Sequence, residues 1–109
     1  MDRIRAEETF LRSVVNAKRK KDKITLIENA KPVQLDALCE IILNVLRGTV
    51  PLTDREKKKA SKHKTVFRKL AKRCLKKLPR KRLFIKYFTA VRQVITTVLP
   101  IIGIVLSVV

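Results

Sequence analysis

The sequence predicts an all-α protein with a small head of three to four short helices, a long basic helix and a hydrophobic C-terminal segment. Apolar residues recur three and four positions apart through most of the chain, which is the spacing of a helix with one buried face. Start and stop signals for helices separate these stretches. Charge is distributed unevenly along the chain. Residues 1–54 carry ten Lys/Arg and eight Asp/Glu, whereas residues 55–109 carry seventeen Lys/Arg and one Asp/Glu.

These patterns divide the chain into three parts. Residues 1–50 are predicted to form the near-neutral helical head, residues 51–82 a linker and basic helix that packs on the head, and residues 83–109 the hydrophobic segment. A chain of 109 residues has room for one small domain. Without the last part, about 80 residues would form a core that supplies only a few kcal/mol, so a partner or self-association would add needed stability.

The head is predicted to contain three helices. The first covers residues 3–17, and the second runs from Asp22, as N-cap, to about Ala30. The third begins at Pro32, a residue suited to the first helical turn, and extends through Leu46. Gly48 then provides the stop expected just beyond a helix C-terminus.

The basic helix is predicted to run from Asp54 to about Leu78. Thr53 and Glu56 form the S/T-x-x-E pattern of a capping box at its start. Apolar residues recur at helical spacing only from Val66 onward, so this half is expected to pack on the head. The first half has almost no apolar face and is expected to stand in solvent or on a polyanion.

Two cysteines, Cys39 and Cys74, lie within helical patterns among apolar neighbours. Two unpaired buried cysteines are the favoured interpretation, and a disulfide between them is the alternative. The sequence has no CxxC motif and a single histidine, His63, so no zinc site is expected. The N-terminal residues contain no apolar signal-peptide region, which favours an intracellular, reducing setting.

The sequence predicts a non-enzymatic protein without a cofactor. Asp36 and Glu40 lie four residues apart but are typical of solvated surface carboxylates, and His63 has no suggestive partner. Two glycines cannot build a phosphate-cradling glycine-rich loop. Catalysis needs several titratable groups that converge in a pocket, and the pattern offers none.

The basic helix is the strongest functional signal. Lysine in excess over arginine, without interleaved aromatic residues, favours neutralisation of phosphates over reading of bases or stacking on single strands. Double-stranded DNA is therefore the expected partner, with lipid headgroups or an acidic protein as alternatives. The candidate binding residues are Lys57, Lys58, Lys59, Lys62, Lys64, Arg68, Lys69, Lys72, Arg73, Lys76, Lys77, Arg80, Lys81 and Arg82.

The C-terminal segment is the second signal, because residues 93–109 carry no charge. Seventeen residues are the lower limit for a membrane-spanning helix. Three interpretations stay open: membrane insertion or disruption, docking on a protein such as a capsid shell, and packing into a core or an oligomer. The residues expected to make these contacts are Leu83, Phe84, Phe88, Val91, Ile95, Leu99, Ile101, Ile102 and Leu106.

Several short sequence blocks follow one another in a characteristic order. They are Phe10-Leu11, Leu26-Ile27, Gln34-Leu35, Ala37-Leu38-Cys39-Glu40, Leu43-Asn44-Val45-Leu46-Arg47-Gly48, Val50-Pro51-Leu52-Thr53, Lys62-His63-Lys64 and Arg68-Lys69-Leu70-Ala71. Over roughly residues 10–85 these blocks resemble a small basic protein of polintons (Mavericks), adintoviruses and fish adomaviruses, which is similar to the adenovirus core protein X (mu) precursor.

This resemblance implies a virion protein that neutralises and condenses packaged double-stranded DNA, with residues Lys57 to Arg82 in the place of the family's basic segment. It implies a location in the virion, and in the host nucleus during assembly, while the hydrophobic C-terminal segment keeps a membrane as the alternative location. The family commonly continues with a junction of the Gln-Arg-Gly-Gly-Phe-Leu-Pro type. This chain instead has Leu83-Phe84-Ile85-Lys86-Tyr87-Phe88, so no processing or membrane role is carried over from that junction.

Overall fold

The computed structural model describes residues 2–76 and 79–103 and confirms the all-α prediction. Eight helices lie in this part of the chain, and their radius of gyration of 12.8 Å is close to the value of about 13 Å expected for one compact domain of this length. The helices are α1 (Asp2–Ala6), α2 (Glu8–Asn16), α3 (Lys20–Glu28), α4 (Pro32–Leu46), α5 (Asp54–Ser61), α6 (Lys64–Leu75), α7 (Lys81–Lys86) and α8 (Phe88–Ile101).

The first predicted helix is divided in two at Glu7, whose backbone leaves the helical region (φ −107°, ψ 26°). The division allows each half to pack on a different neighbour. Helix α1 buries Ile4 and packs on α4, while α2 buries Phe10, Leu11 and Val14 and packs on α8. The prediction of one continuous helix was wrong because the apolar spacing does not show that its two halves face different helices.

The N-cap of the second helix lies three residues earlier than predicted. Arg19 is the N-cap of α3, and the N–H of Lys23 donates to its carbonyl oxygen over 3.1 Å. Asp22 therefore lies in the first turn and is not the N-cap that the sequence predicted. A carboxylate in this turn interacts favourably with the positive end of the helix dipole.

Helix α4 has the predicted bounds, with Pro32 in its first turn and Leu46 as its last residue. The stop at Gly48 is confirmed, since its φ of +72° lies in the left-handed region that glycine adopts without strain. Helix α4 is the centre of the fold and packs against α1, α6 and α8. Its buried side chains are Leu35, Ala37, Leu38, Cys39, Ile41 and Ile42.

The long basic helix predicted over residues 54–78 is two helices, α5 and α6, separated at Lys62 and His63. The capping box at its start is confirmed: Thr53 Oγ1 accepts from the Glu56 N–H at 3.2 Å, and Glu56 Oε1 accepts from the Thr53 N–H at 2.9 Å. Helix α5 buries no residue, whereas α6 packs on α4. The break separates a solvated helix from one that contributes to the core.

Residues 83–103 do not form a segment apart from the head. Helix α8 packs on α2 and α4, and α7 packs on α3. The predicted boundary at residues 82 and 83 is therefore not a structural one, because the head alone leaves one side of α4 and α2 without a cover. The buried side chains of α8 are Phe88, Ala90, Val91, Val94, Ile95, Val98 and Leu99.

Among the described residues, no helix combines the length and the apolar character that crossing a bilayer requires. Helix α8 has 14 residues, which corresponds to about 21 Å at 1.5 Å per residue, against a hydrocarbon core of about 30 Å. Residues 104–109, the end of the predicted hydrophobic segment, lie outside the described residues.

Candidate polyanion-binding surface

The outer side of α6 carries a row of cationic side chains. Phe67, Leu70 and Ala71 define the buried side of this helix. At 100° per residue, Arg68, Lys69 and Lys72 lie away from that side, and Lys76, the C-cap residue after α6, continues their row; all four are exposed. We call these four residues the α6 cationic face. Arg68, Lys72 and Lys76 repeat every four residues, so they form a stripe with steps of about 6 Å along the helix.

Helix α5 extends this surface. Its basic residues are exposed, as are Lys62 in the α5–α6 turn and Lys64 at the start of α6, and no side chain of α5 is fully buried. One side of α5 carries no cation: Glu56 and Ala60 lie there, are half-buried and border a small cavity against α8. The exposed cations that extend the surface are Arg55, Lys57, Lys58, Lys59, Lys62 and Lys64.

The cationic surface has almost no compensating acid. Ion pairs among the described side chains join Arg3 to Glu40, Arg12 to Glu8 and Arg80 to Asp36, and none of these lies on α5 or α6. The two carboxylates of α5, Asp54 and Glu56, lie in its first turn, where Glu56 serves the capping box. Like charges spaced four residues apart on α6 repel each other, and a polyanion would relieve this repulsion.

Arg80 has a structural role that distinguishes it from the other candidate residues. Its Nη2 lies 2.6 Å from Asp36 Oδ1 and donates to the Pro32 carbonyl oxygen at 3.2 Å. Its Nη1 donates to Cys39 Sγ at 3.3 Å, and the side chain is only 16% exposed. Arg80 joins the segment after α6 to the first turns of α4, so its charge is already paired within the protein.

Two further candidates contact backbone carbonyls. Arg73 Nη1 donates to the carbonyl oxygen of Pro79, and Lys81 Nζ donates to that of Glu28, both at 2.7 Å. The first contact joins α6 to the residue before the N-cap of α7, and the second joins α7 to the last residue of α3. Arg82 is exposed, and Lys77 lies outside the described residues. The structure thus brings together the candidates on α5 and α6 and gives Arg73, Arg80 and Lys81 structural contacts.

A disulfide bond between Cys39 and Cys74 connects α4 to α6, with the two Cα atoms 5.9 Å apart. The expectation of two unpaired cysteines was wrong, because α6 packs on α4 and places both residues at the same interface. The bond does not fit the reducing setting inferred from the sequence. Each cysteine faces the core in its own helical pattern, but only the packing of the two helices shows that they meet.

An open cleft lies between the end of α4, the loop before α5 and the α5–α6 pair. It has a volume of about 410 Å³ and a mainly apolar lining that includes Leu46, Val50 and Phe67, with Lys57 and Lys64 along one side. It contains no carboxylate, cysteine or histidine. In the part of the chain that the structure describes, no group of three or more potential ligands could hold a metal ion.

Most of the predicted membrane or partner-docking residues are interior. Phe84, Phe88, Val91, Ile95 and Leu99 are buried in the core. Leu83, Ile101 and Ile102 are partly buried and pack against that core. Leu106 lies outside the described residues. Of the three interpretations that the sequence left open, packing into a core describes the buried group.

The fold and the surface together define a small helical domain with an apolar core, one disulfide and a strongly cationic exterior. Comparison of the chain with protein-family models, with curated proteins and with solved structures finds no match.

Proposed function

We propose that this protein is a non-enzymatic virion core or minor capsid protein that binds and condenses double-stranded DNA without regard to sequence. The observation that carries the proposal is the α6 cationic face, a stripe of exposed cations on a helix that α4 holds in place. The sequence resemblance to the core proteins of adenovirus-related elements supports the virion and, during assembly, the nucleus as the place where it acts.

The chemistry of the surface favours phosphate contacts over base recognition. Specific recognition in the major groove uses a few Arg, Asn or Gln side chains directed at base edges. The α6 cationic face is mostly lysine, whose compact ammonium group interacts with phosphate as a point charge. Binding of this type releases counterions from the DNA and weakens steeply with salt.

Duplex binding by the full-length oxidised protein across a salt series tests the proposal. We expect a log–log slope steeper than about −5 that is equal for two unrelated duplexes of the same length, because several phosphates are neutralised. The variant R68Q/K69Q/K72Q/K76Q should lower the magnitude of this slope by about 3 to 4, since each lost phosphate contact removes about 0.9.

A variant with four substitutions elsewhere controls for the loss of net charge. K18Q/R19Q/K20Q/K21Q has the same formal charge as R68Q/K69Q/K72Q/K76Q but keeps the α6 cationic face. It should therefore reduce the affinity for a single duplex less than that variant does. Strong discrimination between the two duplexes, or a shallow slope with weak binding, would contradict the proposal. Polyglutamate of similar length should compete poorly if phosphate is the preferred ligand.

A further inference from the structure

A second cluster of cations lies at the end of the connection between α2 and α3 and in the first turn of α3. Lys18, Arg19, Lys20 and Lys21 are consecutive, and all four are exposed. We call them the corner patch. None of them takes part in an ion pair among the described side chains. In the sequence this run follows the first predicted helix, residues 3–17, and only the folded arrangement shows where it lies relative to α6.

Helix α8 separates the corner patch from α5 and α6. On one side of α8, Arg92 Nε donates to the carbonyl oxygen of Val15, near the end of α2, at 2.6 Å. On the other side, Gln93 Oε1 lies 3.0 Å from His63 Nε2, at the start of α6. The exposed edge of α8 between these contacts includes Thr89 and Thr96 and carries no charge.

The α6 cationic face and the corner patch lie on different sides of α8. The buried side of α6 contains Phe67, which borders the same small cavity as Ala90 and Val94 of α8. The α6 cationic face lies on the opposite side of that helix and therefore points away from α8. The corner patch lies beyond α8, in a molecule with extents of 37 × 34 × 26 Å. A straight duplex seated on the α6 cationic face would therefore lie on the side of the molecule away from the corner patch.

We propose that the corner patch is a second phosphate-binding surface and that one molecule bridges two DNA duplexes. The inference rests on the proposed function, because it requires the α6 cationic face to bind one duplex. Once one duplex is bound to the α6 cationic face, the corner patch is at high effective concentration for a neighbouring DNA duplex. Bridging condenses DNA at protein amounts below those that neutralise all its phosphates.

A capture assay with two duplexes tests bridging. One duplex is attached to beads, the other carries a fluorophore, and full-length oxidised protein is added at less than one positive charge per phosphate. We expect wild type to retain the fluorescent duplex on the beads. K18Q/R19Q/K20Q/K21Q should still bind the attached duplex but retain at least tenfold less of the fluorescent one.

The variant R68Q/K69Q/K72Q/K76Q is the matched control, since both variants reduce the net charge of +18 by four. It should weaken binding to the attached duplex itself, which distinguishes the two surfaces. Circular dichroism checks that both variants keep their helix content. Bridging by the corner variant at the wild-type level would overturn the inference, as would equal loss of single-duplex binding by both variants. Failure of wild type to bind either duplex would instead contradict the proposed function.

Discussion

At the scale of single residues, the run Arg80-Lys81-Arg82 shows what a sequence pattern leaves undecided. The three side chains have the same charge and occur in one basic stretch, so all were predicted to bind phosphate. In the structure Arg80 pairs with Asp36 and also contacts Pro32 and Cys39, whereas Arg82 is exposed. The identity of a residue gives its chemistry, but its partners come from helices distant in sequence.

Replacement of Arg80 by alanine should destabilise the fold by about 1–3 kcal/mol, because a partly buried charged group and its hydrogen bonds are lost. Replacement of Arg82 by alanine should change stability by less than about 0.5 kcal/mol, as expected for an exposed side chain. Urea denaturation of the two variants measures the difference. Equal effects at both positions would show that the contacts of Arg80 contribute nothing to stability.

At the scale of helices, most local signals were correct, with the exception of the N-cap predicted at Asp22, and the contacts between helices were not visible in the sequence. Pro32, Gly48 and the capping box of Thr53 and Glu56 act through their own turns, so the sequence contains all the information they need. The breaks at Glu7 and at Lys62–His63 depend instead on which neighbour each half of a helix packs against. The disulfide between α4 and α6 was missed for the same reason.

Reduction of the disulfide should destabilise the protein by about 4 kcal/mol, the value that the chain-entropy model gives for a loop of this size. The two cysteines are separated by 35 residues, so the bond restricts a large part of the unfolded chain. The amides of α6 should lose protection from hydrogen exchange most strongly, because like charges along this helix oppose its folding once the tether is gone.

Denaturation with and without a dithiol reductant measures this effect. The variant C39A/C74A serves as control, since its stability should not respond to the reductant. Wild-type protein whose unfolding midpoint is the same in both conditions would contradict a stabilising role for the bond.

At the scale of the whole molecule, composition predicts that the apolar side chains from Leu83 onward are removed from water. It does not show what covers them. The sequence allowed a membrane, a protein surface or a core, and the structure places α8 against α2 and α4. Ile95, in the middle of α8, is completely buried. Charge was easier to predict, since the exposed lysines of α5 and α6 need no information about packing.

Replacement of Ile95 by alanine should lower the free energy of unfolding by about 2–5 kcal/mol, because it leaves a cavity in the shared core. Thr89, exposed on the same helix, provides a matched position where alanine should have an effect below about 0.5 kcal/mol. Thermal and urea denaturation of both variants compare the positions. A neutral effect at Ile95 would mean that α8 is not part of the cooperative core.

At a net charge of +18, the positive charges of the folded molecule repel one another. The folded protein should therefore be more stable at high ionic strength, where this repulsion is screened. The Debye length, over which charges interact, shortens from about 10 Å at 0.1 M salt to about 3 Å at 1 M. Each like-charged pair four residues apart, such as Lys64–Arg68 or Lys72–Lys76, opposes helix formation by about 0.2–0.5 kcal/mol. Few ion pairs lie among the described side chains, so salt removes more repulsion than attraction.

We therefore expect the melting temperature to rise by several degrees between 0.05 and 0.5 M sodium chloride, since about 1 kcal/mol shifts it by 4–8 °C in a domain of this size. The variant R68Q/K69Q/K72Q/K76Q should start from a higher melting temperature at low salt and respond less. A melting temperature that falls with salt would mean that attractive charge pairs dominate the surface. A rise that is equal in both proteins would place the relevant repulsion outside the α6 cationic face.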